Sequence, residues 1–176
     1  ITHVQRLQNW EPLLDEFLAQ CTALGDALGC LLVQLPPSLA YDEAMATAFF
    51  SALRPRYGGA LVLEPRHASW QNAQALLVEQ QVGQVAADPA AIPGGDVPGG
   101  WRGIEYWRWH GSPRIYHSAY DIQRLQALAQ QVQSAIQAGR EAWCIFDNTA
   151  SGFAVGNALA LQSLLTPASN KTLVCK

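Results

Sequence analysis

Charge is scarce in this chain. Only 14% of its 176 residues are charged, the net charge is −3, and the basic residues form no cluster. That leaves no electrostatic footprint for a nucleic-acid backbone or an anionic membrane. The four cysteines, Cys21, Cys30, Cys144 and Cys175, are scattered without a Cys-x-x-Cys spacing. A zinc knuckle or redox pair therefore has no local support, and free thiols in a reducing compartment are the plain reading. No apolar run approaches the ~20 residues of a spanning helix, and the N-terminus lacks a charged-then-apolar secretory pattern. A soluble, cytoplasmic protein is expected. Neither Gly-x-Gly-x-x-Gly nor Gly-x-x-x-x-Gly-Lys-Ser/Thr occurs, which removes the usual support for a dinucleotide or nucleoside triphosphate site. There is no internal repeat and no low-complexity tract.

What is present is apolar material, 49% of the chain, ample for one domain with a continuous core. The segment 60–70, Ala-Leu-Val-Leu-Glu-Pro-Arg-His-Ala-Ser-Trp, shows the plan that the chain repeats. It reads as a buried strand with Glu64, Arg66 and His67 at its C-terminal end and Ser69 placed to cap the next helix. Similar apolar runs predict strands at 31–35, 84–88, 104–110 and 142–146. In 104–110, Trp107 and Trp109 face one way while Arg108 and His110 face the other.

Helices are predicted between the strands. The first starts at Asn9 as N-cap, with Pro12 in its first turn and a stripe of Leu13, Leu14, Phe17, Leu18, Cys21 and Leu24. Asp42 and Asp121 cap two more, a short one follows Ser69, and the last covers 153–165 before a polar tail. The Pro- and Gly-rich segment 89–103 predicts no helix and reads as either a crossover or a lid. Five strands alternating with five helices imply a parallel α/β fold with right-handed crossovers. An open doubly wound sheet and part of a (β/α) barrel both satisfy that order.

Five motifs, Leu35-Pro-Pro-Ser38, Glu64-Pro-Arg-His-Ala-Ser-Trp70, Arg108-Trp-His-Gly111, Tyr116-His-Ser-Ala-Tyr120 and Phe146-Asp-Asn-Thr149, occur in an order that resembles the YecE-like domain of unknown function, family seventy-two. The resemblance implies a TIM-type (β/α) barrel without an established activity. In that family a segment like Ile1-Thr2-His3 follows the third strand. The family's Gly-Trp and Glu-x-Asn-x-x-Phe-Tyr motifs do not occur here, so the resemblance implies an incomplete barrel of about five strands lacking the first three; a complete one needs ~250 residues. An unclosed sheet would expose two parallel edges, so the expectation is either a truncated gene or a curved sheet whose open edges are paired or covered, an oligomer being one way to cover them. The family usually shows Phe-Asn-Asn where this chain has Phe146-Asp147-Asn148, an exchange that keeps an acceptor and loses donors.

On the barrel reading, Gln34, Glu64, Arg66, His67, Asp88, Arg108, His110, Asp147 and Asn148 gather at or just past strand ends, where such folds bind ligands. Glu64 is a candidate general base or metal ligand; the alternative is an ion pair with Arg66 or Arg108 that neutralises a buried charge. His67 and His110 are candidates for proton transfer or metal ligation, or hydrogen-bonded structural residues. Arg108 suits a carboxylate or phosphate, or pairs with Glu64 or Asp88. Asp88, just before Pro89, also fits a plain turn former. Tyr116 and Tyr120 either line the mouth or pack, and His3 and His117 read as surface or loop residues.

Three functions are open. One is an enzyme acting on a small polar or anionic molecule by acid/base or metal-assisted chemistry, with a divalent metal as candidate cofactor. A second is a non-catalytic ligand-binding or regulatory module. A third, phosphodiester cleavage, is disfavoured by the acidic balance and rests on fold analogy alone.

Overall fold

A computed structural model describes residues 1–166; Cys175 and the polar tail lie outside the described residues. Strand β1 (Cys30–Gln34) pairs in parallel with β2 (Ala60–Glu64), Gln34 opposite Glu64. The chain then continues through β3 (Gly83–Gln84) and β4 (Ala86–Asp88), which together replace the single strand predicted at 84–88. The break at Val85 has a topological role. β3 pairs in parallel with β2, whereas β4 pairs in parallel with β6 (Ile104–Trp109), so one chain segment serves two sheets. Val85 N still donates to Leu63 O at 2.9 Å across the break. The last strand, β7 (Glu141–Phe146), pairs in parallel with β6. The parallel strands thus stand side by side in chain order, in two open sheets that do not close into a barrel among the described residues.

The segment 89–103 forms no helix, as its composition predicts, but it is not wholly irregular. Gly99–Gly100 is a short strand, β5, antiparallel to β3. The side chain of Gln74 accepts from Gly100 N at 2.9 Å and Trp101 N donates to Val82 O at 2.9 Å, which ties the segment down as a crossover. Gly83 permits a close approach: a Cβ there would sit 2.8 Å from Ile104 Cγ2.

The period-two alternation of the strands separates two apolar layers. Leu31, Val33, Leu61 and Leu63 face a helix layer of α1 (Glu11–Thr22), α2 (Glu43–Arg56) and α3 (Gln74–Glu79). Trp107 and Ala86 face α4 (Ile122–Gln137) and α5 (Phe153–Leu165). The opposite, helix-free face carries Val62, Val85, Ile104 and Tyr106, flanked by Leu32 and Ile145. Trp143 of β7 leans against Gly29 just before β1, where a Cβ would lie 2.3 Å from Trp143 Cη2.

Two helix starts differ from their prediction. Trp10, not Asn9, is the N-cap of α1, with Pro12 in the first turn as predicted; Asn9 takes a left-handed φ of 47° that a short polar side chain tolerates. The helix after β2 begins as a 3-10 turn, Ala68–Ala73, capped by His67 instead of Ser69. Asp42 and Asp121 do cap α2 and α4, each accepting at 2.8 Å from the backbone N–H three residues on.

Candidate functional site

At Glu64 the helix-free face of the sheet changes from apolar to charged. This carboxylate is fully buried, a position that demands compensating charge. Two arginines supply it. Arg66 Nη2 lies 2.5 Å from Glu64 Oε1 and Arg108 Nη1 lies 2.6 Å from Glu64 Oε2. Arg108 then extends its other nitrogen, Nη2, to Asp147 at 2.9 Å. His110 stands between the two carboxylates, with Nδ1 2.8 Å from Asp147 Oδ1 and Nε2 3.3 Å from Glu64 Oε1. With its amide oxygen turned to the guanidiniums, Gln34 accepts from Arg66 Nη2 at 2.9 Å and from Arg108 Nη1 at 3.2 Å.

The electrostatics follow from this geometry. Burial by itself raises the Glu64 carboxyl, but hydrogen bonds from His110 and Arg108, with the charges of Arg108 and Arg66, outweigh it and hold the group at about 2. Burial lowers the His110 imidazole, yet its bonds to Asp147 and Glu64 and their charges prevail and raise it above its ordinary value. Glu64 is therefore a weak base, and His110 favours the imidazolium form.

Gln34, Glu64, Arg66, Arg108, His110 and Asp147 thus meet at one rim. Asp88 does not join them. Its register puts it opposite Trp109, on the helix side of the sheet, where it pairs with Arg124 Nη2 of α4 at 2.5 Å. The Arg124 guanidinium lies over the rings of Trp109 and Tyr120. Asn148 also turns to the helix side, one residue beyond Asp147. It is fully buried, and its Nδ2 donates to Ser118 O and to Asn157 Oδ1, both at 2.9 Å. His67 Nδ1 accepts from Ser69 N at 3.3 Å and lies 2.8 Å from Ser69 Oγ. Among the described residues no hydrogen bond or ion pair joins His67 to the rim.

Sequence reasoning missed Asn157, Arg124 and Glu105. Asn157 had a signal, a lone amide within an otherwise apolar stretch of helix, because a buried amide needs partners. It finds them in Tyr120 N, Tyr120 O and Asn148. Glu105 is buried and takes Arg102 and Arg140, each at 2.5 Å, beside a cavity of about 400 Å³ away from the rim. An apolar cavity of about 350 Å³ lies between α1, α2 and β1.

Among the described residues no three His, Cys, Asp or Glu side chains are grouped as a metal cage requires. At the rim both His110 nitrogens face carboxylates and the Glu64 oxygens face guanidiniums, so these donors do not fit a bound divalent metal. The thiols of Cys30 and Cys144 are pushed up to about 12, chiefly by burial, which leaves them poor nucleophiles. No helix of the described residues is long and apolar enough to cross a membrane.

Parallel strands alternating with helices, with a buried charge cluster at the strand C-termini, define an α/β protein with a polar rim. The particular family is shown by a match over residues 1–175 to the family described as protein of unknown function DUF72, and the chain belongs to it. The chain is similar to a crystal structure of a DUF72 family protein from Thermotoga maritima, with 24% identity and a TM-score of 0.75 over 93% of this chain and 69% of that one. It is also similar to two crystal structures of a DUF72 family protein from Enterococcus faecalis. One has 20% identity and a TM-score of 0.71 over 94% of this chain and 74% of that one; the other has 23% and 0.70 over 89% and 72%. At these identities the likeness shows the fold alone. A search of curated proteins gives no match.

Proposed function

We propose that the parallel strands form one domain, an arc of a TIM-type (β/α) barrel of the YecE-like kind, whose rim is an enzyme-type site for a small anionic molecule. The consecutive strand order and the apolar-to-charged layering of the helix-free face support the barrel arc. One observation carries the site: His110 bracketed between Glu64 and Asp147, with Arg66 and Arg108 beside it. Three cationic groups against two carboxylates leave a positive balance when His110 is protonated, which favours an anion. In this reading Arg66 and Arg108 hold the ligand, His110 is the proton donor, and Glu64 positions the guanidiniums. A cytoplasmic location and covered edges at β1 and β7 belong to the same proposal.

The alternative, a ligand-binding module without chemistry, draws on the same cluster: both His110 nitrogens are already engaged, and a carboxyl held at about 2 has little affinity for a proton. Titration with inorganic phosphate, followed by His110 NMR shifts, tests the site. Saturable binding that weakens about tenfold in Arg66→Gln is expected, in line with ~1.5 kcal/mol for a charged hydrogen bond; folded protein without saturable binding overturns it. If phosphate binds and His110→Gln abolishes turnover of a phosphate monoester panel, the enzyme is favoured; binding without turnover of any member favours the module.

A further inference from the structure

The loop between β6 and α4 contains two tyrosines with opposite explanations. Tyr120 is buried, and its hydroxyl accepts from Gly111 N at 2.7 Å and donates to Asp88 O at 3.1 Å. Its place is accounted for by packing. Tyr116 is 46% exposed, yet its backbone is held at a φ of 67°, a left-handed conformation rarely adopted by a bulky side chain. Two backbone hydrogen bonds impose it: Tyr116 N donates to His110 O at 2.6 Å, and Ala150 N donates to Tyr116 O at 3.0 Å. The loops following β6 and β7 thus meet at this residue, and the core gains little from its ring. Such strain is retained where surrounding structure over-determines it, and it concentrates at ligand sites.

The ring stands against His110, with centroids 6.1 Å apart and planes at 89°. Arg66 Nη2 lies 3.3 Å from Nε2 of the same imidazole, and Arg66 Nε is buried without a hydrogen-bond partner. A cationic donor and an exposed aromatic ring therefore both contact one histidine. We propose that Tyr116 is a specificity-determining residue that packs against a flat ring of the ligand, so that the ligand class is a phosphate or carboxylate carried on an aromatic or heteroaromatic ring. This rests on the anion-binding reading above.

Phenyl phosphate and inorganic phosphate, titrated into the native chain and into Tyr116→Gly, test it by calorimetry. Glycine accepts a positive φ, so the variant removes the ring while retaining the loop, and a thermal melt confirms that it folds. The native chain is expected to prefer phenyl phosphate about three- to tenfold, the range of an aromatic pair. Tyr116→Gly is expected to bind inorganic phosphate as before and to lose that preference. Phosphate binding with no preference for the ring, or a preference that survives in Tyr116→Gly, overturns the role of Tyr116 while leaving the anion site standing. Failure of the native chain to bind either probe overturns the anion site and this inference together.

Discussion

Arg108 joins Glu64 to Asp147 through separate nitrogens, Nη1 at 2.6 Å and Nη2 at 2.9 Å. One side chain of β6 thereby ties the end of β2 to the end of β7. Removing one partner of a buried pair leaves an uncompensated charge, which costs about 3–5 kcal/mol. Arg108→Met is expected at the lower end of that range, about 3 kcal/mol in urea unfolding, because Arg66 still faces Glu64. Glu64→Gln combined with Arg108→Met should cost less than the two single changes together. Additivity would mean that the two groups are not coupled.

The same contacts set a pH profile. Glu64 is held below its ordinary 4.5, at about 2, so its contribution is present above 4.5 and lost as pH falls through that interval. His110 is raised above its ordinary 6.5, so its contribution is full below 6.5 and lost as pH rises through the raised value. Stability should therefore be greatest between about 4.5 and 6.5 and fall on both sides. Urea unfolding from pH 3 to pH 9 checks this; His110→Gln should flatten the alkaline limb and also shrink the acid limb, because His110 is one of the groups that hold Glu64 down. An alkaline limb unchanged in that variant would contradict the pairing of His110.

Asn157 holds two loops from within α5. It accepts from Tyr120 N at 3.2 Å and Asn148 Nδ2 at 2.9 Å, and donates to Tyr120 O at 3.0 Å. Asn157→Leu preserves bulk but orphans buried polar groups, at about 1–3 kcal/mol each. A total of about 3 kcal/mol by thermal unfolding is expected, with faster hydrogen exchange at Tyr120. Retained exchange protection would show that the loop is anchored elsewhere.

Gly83 is where β6 comes close to β3. A methyl at that position meets Ile104 Cγ2 at 2.8 Å and Val62 Cγ1 at 3.2 Å. Gly83→Ala should destabilise by about 1–3 kcal/mol through overpacking, although the same change in an open strand would be mildly stabilising. A melting temperature equal to or above that of the native chain would refute the close approach.

Much of the fold was legible because its signals are local. Strand β2 and helix α5 have the bounds that their apolar patterns predict, and Asp42 and Asp121 cap as their residue type suggests. The split at Val85 was not legible: one strand turns from one neighbour to another, and which neighbour each half meets depends on sheet curvature. For the rim, the alternation of Trp107, Arg108, Trp109 and His110 marks which side chains share a face. Ala86-Ala87-Asp88 offers no such contrast, since two alanines do not distinguish the faces, and Asp88 lies on the opposite side of the sheet from the rim residues.

The sequence by itself determined the α/β alternation, the strand ends and the residue types placed there, since hydrophobic period and capping chemistry act over a few residues. Only the tertiary structure decided which charges meet. Glu64, Arg108 and Asp147 lie 44 and 39 positions apart along the chain, and the parallel register of β2, β3 with β4, β6 and β7 sets their separations to hydrogen-bond length. That register is a property of long-range strand pairing, and burial of Glu64 gives it electrostatic weight by excluding the water that would otherwise screen it.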